Sequence, residues 1–269
     1  MSAITRVFEK LHAKGEGALI GYVMAGDPTP EQTPLIAASL IKGGVDVLEL
    51  GLPFSDPIAD GPTIQAASVR ALAASTTPPK VLEMALEIRR KHTTPIVVMT
   101  YYNPVFKMGL DRFFSLAKSC GVDGLIVPDL PVEEAADYRE KALISGVDTV
   151  FLAAPSTSAE RLQKIVACTS GFLYLVSHFG VTGEIAKFED STIQLIKRVL
   201  PFTKGRIPLA VGFGVSKPQH ARSIIGAGAD GVIVGSAFVN LIQKNQGNVH
   251  AIVDELGRLA RGFKAATTR

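Results

Sequence analysis

The sequence predicts a closed (β/α)8 barrel of the TIM type, and three observations carry that prediction. Four times a helical stretch ends in the same joint before a short apolar run: Gly44-Val45-Asp46, Gly121-Val122-Asp123, Gly146-Val147-Asp148 and Gly228-Ala229-Asp230. Glycine tolerates the positive φ of a helix C′ position, so each joint marks a helix-to-strand connection. Eight apolar runs can be placed along the chain with helical patterns between them, and such alternation means parallel strands joined by right-handed crossovers. The length of 269 residues suits eight such units, and no linker or low-complexity stretch divides them, so residues 1–269 are expected to form a single domain.

The elements follow in order. The opening MSAITRVFEKLHAKG is amphipathic and charged throughout, an extra N-terminal helix rather than a signal sequence. Strands are expected near 18–25, 45–51, 96–101, 124–127, 148–153, 172–177, 208–212 and 231–234. Helical patterns fall at 30–42, 81–91, 110–118, 132–144, 159–166 and 248–264. The stretch 55–79 is longer than a plain strand-to-helix connection and predicts an inserted helical segment after strand 2.

Composition excludes several functions. Hydrophobic residues make up 47% of the chain and charged residues 20%, enough apolar material for a sizeable core. The net charge is +3 with no dense Lys/Arg block, which argues against nucleic acid as a partner. No apolar stretch reaches the roughly 18 residues that a membrane span needs. Two cysteines, Cys120 and Cys168, make no disulfide framework, and a soluble cytoplasmic protein is expected. The histidines form no spaced cluster, so no metal is expected.

In such barrels the site lies at the C-terminal ends of the strands. There, Gly212-Phe213-Gly214 follows the seventh strand, and Gly235-Ser236 follows the eighth and opens a helix. Small residues let backbone N–H groups approach an anion, and a helix N-terminus favours negative charge, so the two together form a candidate phosphate site. The segment after strand six, Ser177 onward, has the glycines of a lid, although a plain surface loop fits equally well. Tyr22, Tyr174 and Phe213 lie at or near strand ends, where a flat apolar group could stack or where they simply pack.

Glu49 stands apart. It lies in the run VDVLELG, and Val45, Val47 and Glu49 are expected on one face because side chains alternate with period two. A carboxylate buried without a partner is costly, whereas near a barrel mouth burial raises its pKa and suits it to proton transfer near neutral pH. Asp60, in the proline-stiffened loop PFSDPIADGP, has a weaker case by itself, since Asp before Gly is common turn chemistry.

These residues in this order resemble the tryptophan synthase alpha subunit family. The likeness runs over nearly the whole chain: GDP at 26–28, the stretch 48–65 with PFSDPIADGPTIQ, YYNP at 101–104, DLPVEE at 129–134, GVTG at 180–183, GFGV at 212–215 and Gly235-Ser236. It implies retro-aldol cleavage of indole-3-glycerol phosphate to indole and glyceraldehyde 3-phosphate. Carried over by motif, Glu49 is the general acid and base, and Asp60 stabilises the protonated indole. Tyr22, Met99, Ile126, Leu152, Tyr174 and Phe213 line the indole pocket. Gly183, Phe213, Gly214, Gly235 and Ser236 hold the phosphate, and Thr182 closes the lid (177–188) against Asp60. His178-Phe179 departs from the basic-then-small pair of the family pattern. The resemblance also implies an α2β2 complex with a beta subunit that alone carries pyridoxal phosphate. Pro53, Asp56 and Pro57, with Tyr102, Asn103, Pro104, Phe106 and Pro131, form the expected docking face.

Overall fold

The computed structural model describes residues 1–177, 185–212 and 214–269, the side chains of 185–189 excepted. Among these, nine strands make one sheet: β1 Ala18–Met24, β2 Val47–Gly51, β3 Ile96–Met99, β4 Gly124–Ile126, β5 Asp148–Val150, β6 Leu152–Ala153, β7 Leu173–Val176, β8 Leu209–Gly212 and β9 Gly231–Val234. Every pairing is parallel, in the order β5-β4-β3-β2-β1-β9-β8-β7-β6. The two ends of that order, β5 and β6, are the halves of one expected strand, 148–153.

Phe151 interrupts it. The first half pairs with β4 and the second with β7, and the Phe151 carbonyl still accepts the Tyr174 N–H at 3.1 Å. The barrel is therefore closed by the chain itself, and the eight expected strands are present with the fifth bent as it passes from one neighbour to the other.

Alternation along the strands separates two cores. Leu19, Leu48, Leu50, Val98 and Leu125 point outward, into the layer shared with the helices. Ile20, Val47, Val97, Ile126, Val150, Tyr174, Ala210 and Ile233 point inward, where Ile4, Phe8 and Leu11 of the N-terminal helix Ala3–Ala13 close the base. Val45 belongs to the outer layer, because the strand starts at Val47 and residue 45 still lies in the joint. The expectation that it shares a face with Val47 and Glu49 is corrected on that ground.

The joints work as expected and do more. Gly44, Gly121, Gly146 and Gly228 all have positive φ, between 63° and 105°. Three of the following aspartates then accept a backbone N–H from the preceding strand: Asp46 from Leu19 at 2.8 Å, Asp123 from Ile96 at 2.9 Å and Asp230 from Leu209 at 2.9 Å. Each also carries a cation, Lys264 at 3.0 Å on Asp46, Arg269 at 3.2 Å on Asp230, and Arg89 on Asp123. Asp148 departs from this pattern, with one carboxylate oxygen that has no hydrogen-bond partner among the described residues.

The inserted segment after the second strand is the helix Pro62–Ala73. A helix that the apolar pattern does not reveal, Tyr102–Met108, follows β3 directly, so the third strand ends at Met99 and not near 101. The Asp129 carboxylate accepts the Tyr102 N–H at 2.9 Å and so ties the rim after β4 to that helix. Among the described residues no helix is long and apolar enough to cross a membrane.

Candidate active site

Glu49 also lies on the inner face. Two residues beyond Val47 on β2, it points into the barrel beside Tyr22 of β1 and is 1% exposed. Among the described residues neither carboxylate oxygen has a hydrogen-bond partner. Burial pushes its carboxyl up to about 8, with the nearby Asp60 charge adding to the rise. At neutral pH Glu49 is a neutral acid able to give a proton away.

Asp60 stands opposite, on the loop between β2 and the helix Pro62–Ala73. Burial raises its carboxyl to about 6, and a hydrogen bond from Tyr101 acts against the rise. The loop is braced from both ends. The Ser68 hydroxyl accepts the Phe54 N–H at 3.0 Å and donates to the Phe54 carbonyl at 2.9 Å. The Gln65 amide donates to the Asp60 carbonyl at 2.8 Å. Further out, Arg70 of the same helix makes a two-pronged ion pair with buried Asp27, at 2.7 Å for each contact. That gives a structural role to the GDP motif at 26–28.

Aromatic and aliphatic side chains surround the two acids. Tyr22 and Tyr174 are buried, and burial together with the charges of Glu49 and Asp60 holds both phenols well above their ordinary range. Each lies across a glycine on the neighbouring strand. A Cβ at Gly51 would collide with the Tyr22 hydroxyl, and one at Gly212 with the Tyr174 hydroxyl. Glycine is needed there because the rings lie flat against backbone. Ile126 and Leu152 pack with Tyr174 on the inner face, and Met99 touches both that group and the group around Tyr22. The five expected pocket residues that are described therefore gather at one end of the barrel, around Glu49.

Of the expected phosphate residues, Gly214 has φ of 77° and Gly235 precedes the helix Ser236–Lys244. The Gly235 carbonyl accepts the N–H groups of Phe238 and Val239, the first bonds of that helix. Gly235 is also close to Tyr22, 3.4 Å from an added Cβ to the ring. Phe213, Thr182, Gly183, His178 and Phe179 lie outside the described residues, as does most of the expected lid.

The rim residues divide. Asp56, Asn103, Phe106 and Pro131 are exposed, and Pro57, Tyr102 and Pro104 are half-buried. Pro53 is buried within the chain, so it stiffens the loop and offers no surface to a partner, which corrects its place on the docking face. Sequence reasoning also missed Tyr101, whose hydroxyl accepts the Ala59 N–H at 3.0 Å. Its only signal was its place in YYNP, two residues beyond the third strand. A separate groove of about 800 Å³ at the base of the barrel, lined by Phe8, His12, Arg206 and Asp230, includes none of these residues.

The family described as tryptophan synthase alpha chain matches residues 8–268. The chain belongs to the tryptophan synthase alpha chain family. The alpha chain of Methanosarcina acetivorans is 49% identical over 262 residues, covering 97% of this chain and 93% of that one. That of Methanoregula boonei is 47% identical over 266 residues, covering 99% and 98%. Among solved structures, the alpha chain of Legionella pneumophila superposes with a TM-score of 0.89 at 37% identity, covering 99% of this chain and 97% of that one. A chain of the tryptophan synthase α2β2 complex of Pyrococcus furiosus superposes at 0.82 and 40% identity, covering 93% and 98%. The family's activity is the alpha reaction of tryptophan biosynthesis, a lyase reaction on indole-3-glycerol phosphate.

Proposed function

We propose that residues 1–269 act as one catalytic domain in which Glu49 transfers protons and Asp60 balances charge during cleavage of indole-3-glycerol phosphate. The carrying observation is that a fully buried Glu49 has no partner for either oxygen among the described residues and faces a second acid whose pKa is lower. Glu49, protonated, gives its proton to C3 of the indole. The ring nitrogen then bears positive charge, and the Asp60 carboxylate accepts a hydrogen bond from its N–H and stabilises the cation. The Glu49 carboxylate next takes the proton of the adjacent side-chain hydroxyl. The C3–carbon bond breaks, its electrons return to the ring, and the hydroxyl carbon leaves as an aldehyde. Glu49 ends protonated, ready for another turn.

The remaining residues bind and orient. Tyr22, Met99, Ile126, Leu152, Tyr174 and Phe213 enclose the indole, while Gly183, Gly214, Gly235 and Ser236 present N–H groups to the phosphate and Thr182 closes over Asp60. Every step uses side chains of this chain, so no cofactor is assigned to it. Two free cysteines fit work in the cytoplasm. The partner is a beta subunit in an α2β2 assembly, and it carries the pyridoxal phosphate. Asp56, Asn103, Phe106 and Pro131, with Pro57, Tyr102 and Pro104, form the docking face around the mouth; Phe106, 64% exposed, offers an apolar anchor. Incubating the purified chain with indole-3-glycerol phosphate tests the reading: release of indole and an aldehyde supports it, and no release by a folded chain with its beta subunit present overturns it.

A further inference from the structure

Strand β8 ends at Gly212, from which the chain runs on toward Gly214, and that end is held from the β7 side. Pairing with β7 reaches Val176–Gly212, whereas pairing with β9 stops one residue earlier, at Val211–Val232. Two side chains from the β7 segment grip Gly212. The Tyr174 ring lies across its Cα, where an added Cβ would collide with the phenol. Just beyond the strand, Ser177 donates to the Gly212 carbonyl twice, from its N–H at 3.3 Å and from its hydroxyl at 2.9 Å. Ser177 is 1% exposed, and its hydroxyl makes the shorter of the two bonds.

Strand pairing alone needs no hydroxyl here. The Ser177 N–H already serves that carbonyl, and a buried hydroxyl costs free energy unless it is bonded. What the second donor adds is direction. A carbonyl oxygen has two lone pairs, and a donor seated on each leaves it little freedom to turn. Peptide units are planar, so a fixed carbonyl also fixes the course on which the backbone leaves β8. A turn follows at once, since Gly214 has a φ of 77°, and any rotation at the strand end is carried into it. We propose that Ser177 is a positioning residue for phosphate binding: its hydroxyl pins the Gly212 carbonyl and thereby presents the backbone at Gly214 to the phosphate of the substrate. This rests on the reading of Gly214, Gly235 and Ser236 as residues that hold that group.

Ser177→Ala removes one oxygen and keeps the backbone N–H. We expect KM for indole-3-glycerol phosphate to rise about fivefold, the scale of one neutral hydrogen bond, with a smaller change in kcat. Calorimetric titration should find glycerol 3-phosphate bound about fivefold more weakly by the variant, and indole bound as tightly as by the wild type. Ser177→Cys carries a thiol, a weaker donor on a side chain of similar shape. It should weaken glycerol 3-phosphate binding by a smaller factor, and it takes the place of the Ala variant should that one fail to fold. Equal weakening of both ligands marks packing alone and overturns the proposal, as does unchanged binding of glycerol 3-phosphate. Wild-type protein that binds glycerol 3-phosphate no better than glycerol would remove the underlying phosphate reading instead.

Discussion

The base and the mouth of this barrel treat the same functional group in opposite ways. At the base, Asp46, Asp123 and Asp230 each accept a strand N–H and each face a Lys or Arg. At the mouth, Glu49 is more deeply buried than any of them and has no hydrogen-bond partner among the described residues. A carboxylate that is paired in this way stays charged and fastens strands together. One that is sealed away unpaired must hold its proton, and a held proton is what acid catalysis needs. The difference separates structure from chemistry within one fold, and substitutions at the two ends should separate them in measurement.

The largest effect is expected at Glu49. Glu49→Gln should lower indole release by at least about 10²–10⁴-fold while substrate still binds, since the amide keeps the shape but moves no proton. The same substitution should make the protein more stable. The unfolded chain ionises Glu49 above its usual carboxylate range, whereas the native state holds the proton up to about 8. Native stability therefore falls as pH rises between those values, by about 1.4 kcal/mol per unit, and Gln abolishes that loss. Urea unfolding at pH 7 checks it; a less stable Glu49→Gln protein would contradict the assignment.

Asp60→Asn comes next, with a loss of roughly 10²–10³-fold expected from removing the charge that meets the indole cation. The pH profile follows from the two acids together. Asp60 must be ionised, so kcat/KM should fall below about 6, and Glu49 must be protonated to begin, so it should fall again above about 8. A profile flat from pH 5 to 9 would deny both roles. The smallest catalytic effect belongs to the base. Asp123→Ala strands the Ile96 N–H and removes the ion pair with Arg89, which should cost about 1–3 kcal/mol in urea unfolding and leave kcat unchanged. A loss of kcat at full occupancy of the folded state would blur the contrast between the two ends.

Much of this was legible in the sequence because it depends on local rules. The Gly-x-Asp joints announce positive φ, and the two-residue period puts Glu49 on the face of Val47. What escaped depends on contacts between distant segments or on pieces too short to show a period. Helix Tyr102–Met108 has 7 residues, about two turns, and its proline and aromatics resemble a loop. The bend at Phe151 arises because one strand must pair with β4 and then with β7, a demand of closure and not of composition. Pro53 resembles a rim residue from its neighbours, yet it is buried. Tyr101 meets Ala59 across 42 positions, and nothing in either segment alone indicates the meeting.

The most direct test of the contrast is the ionisation of Glu49 itself. Infrared difference spectra between the wild-type protein and Glu49→Gln, taken across pH 4 to 10, isolate its carbonyl stretch. A protonated carboxylic acid that persists through pH 7 and disappears near 8 is the predicted result. A carboxylate band already present at pH 6 would mean that Glu49 is ionised at rest, and the account of the mouth would fail.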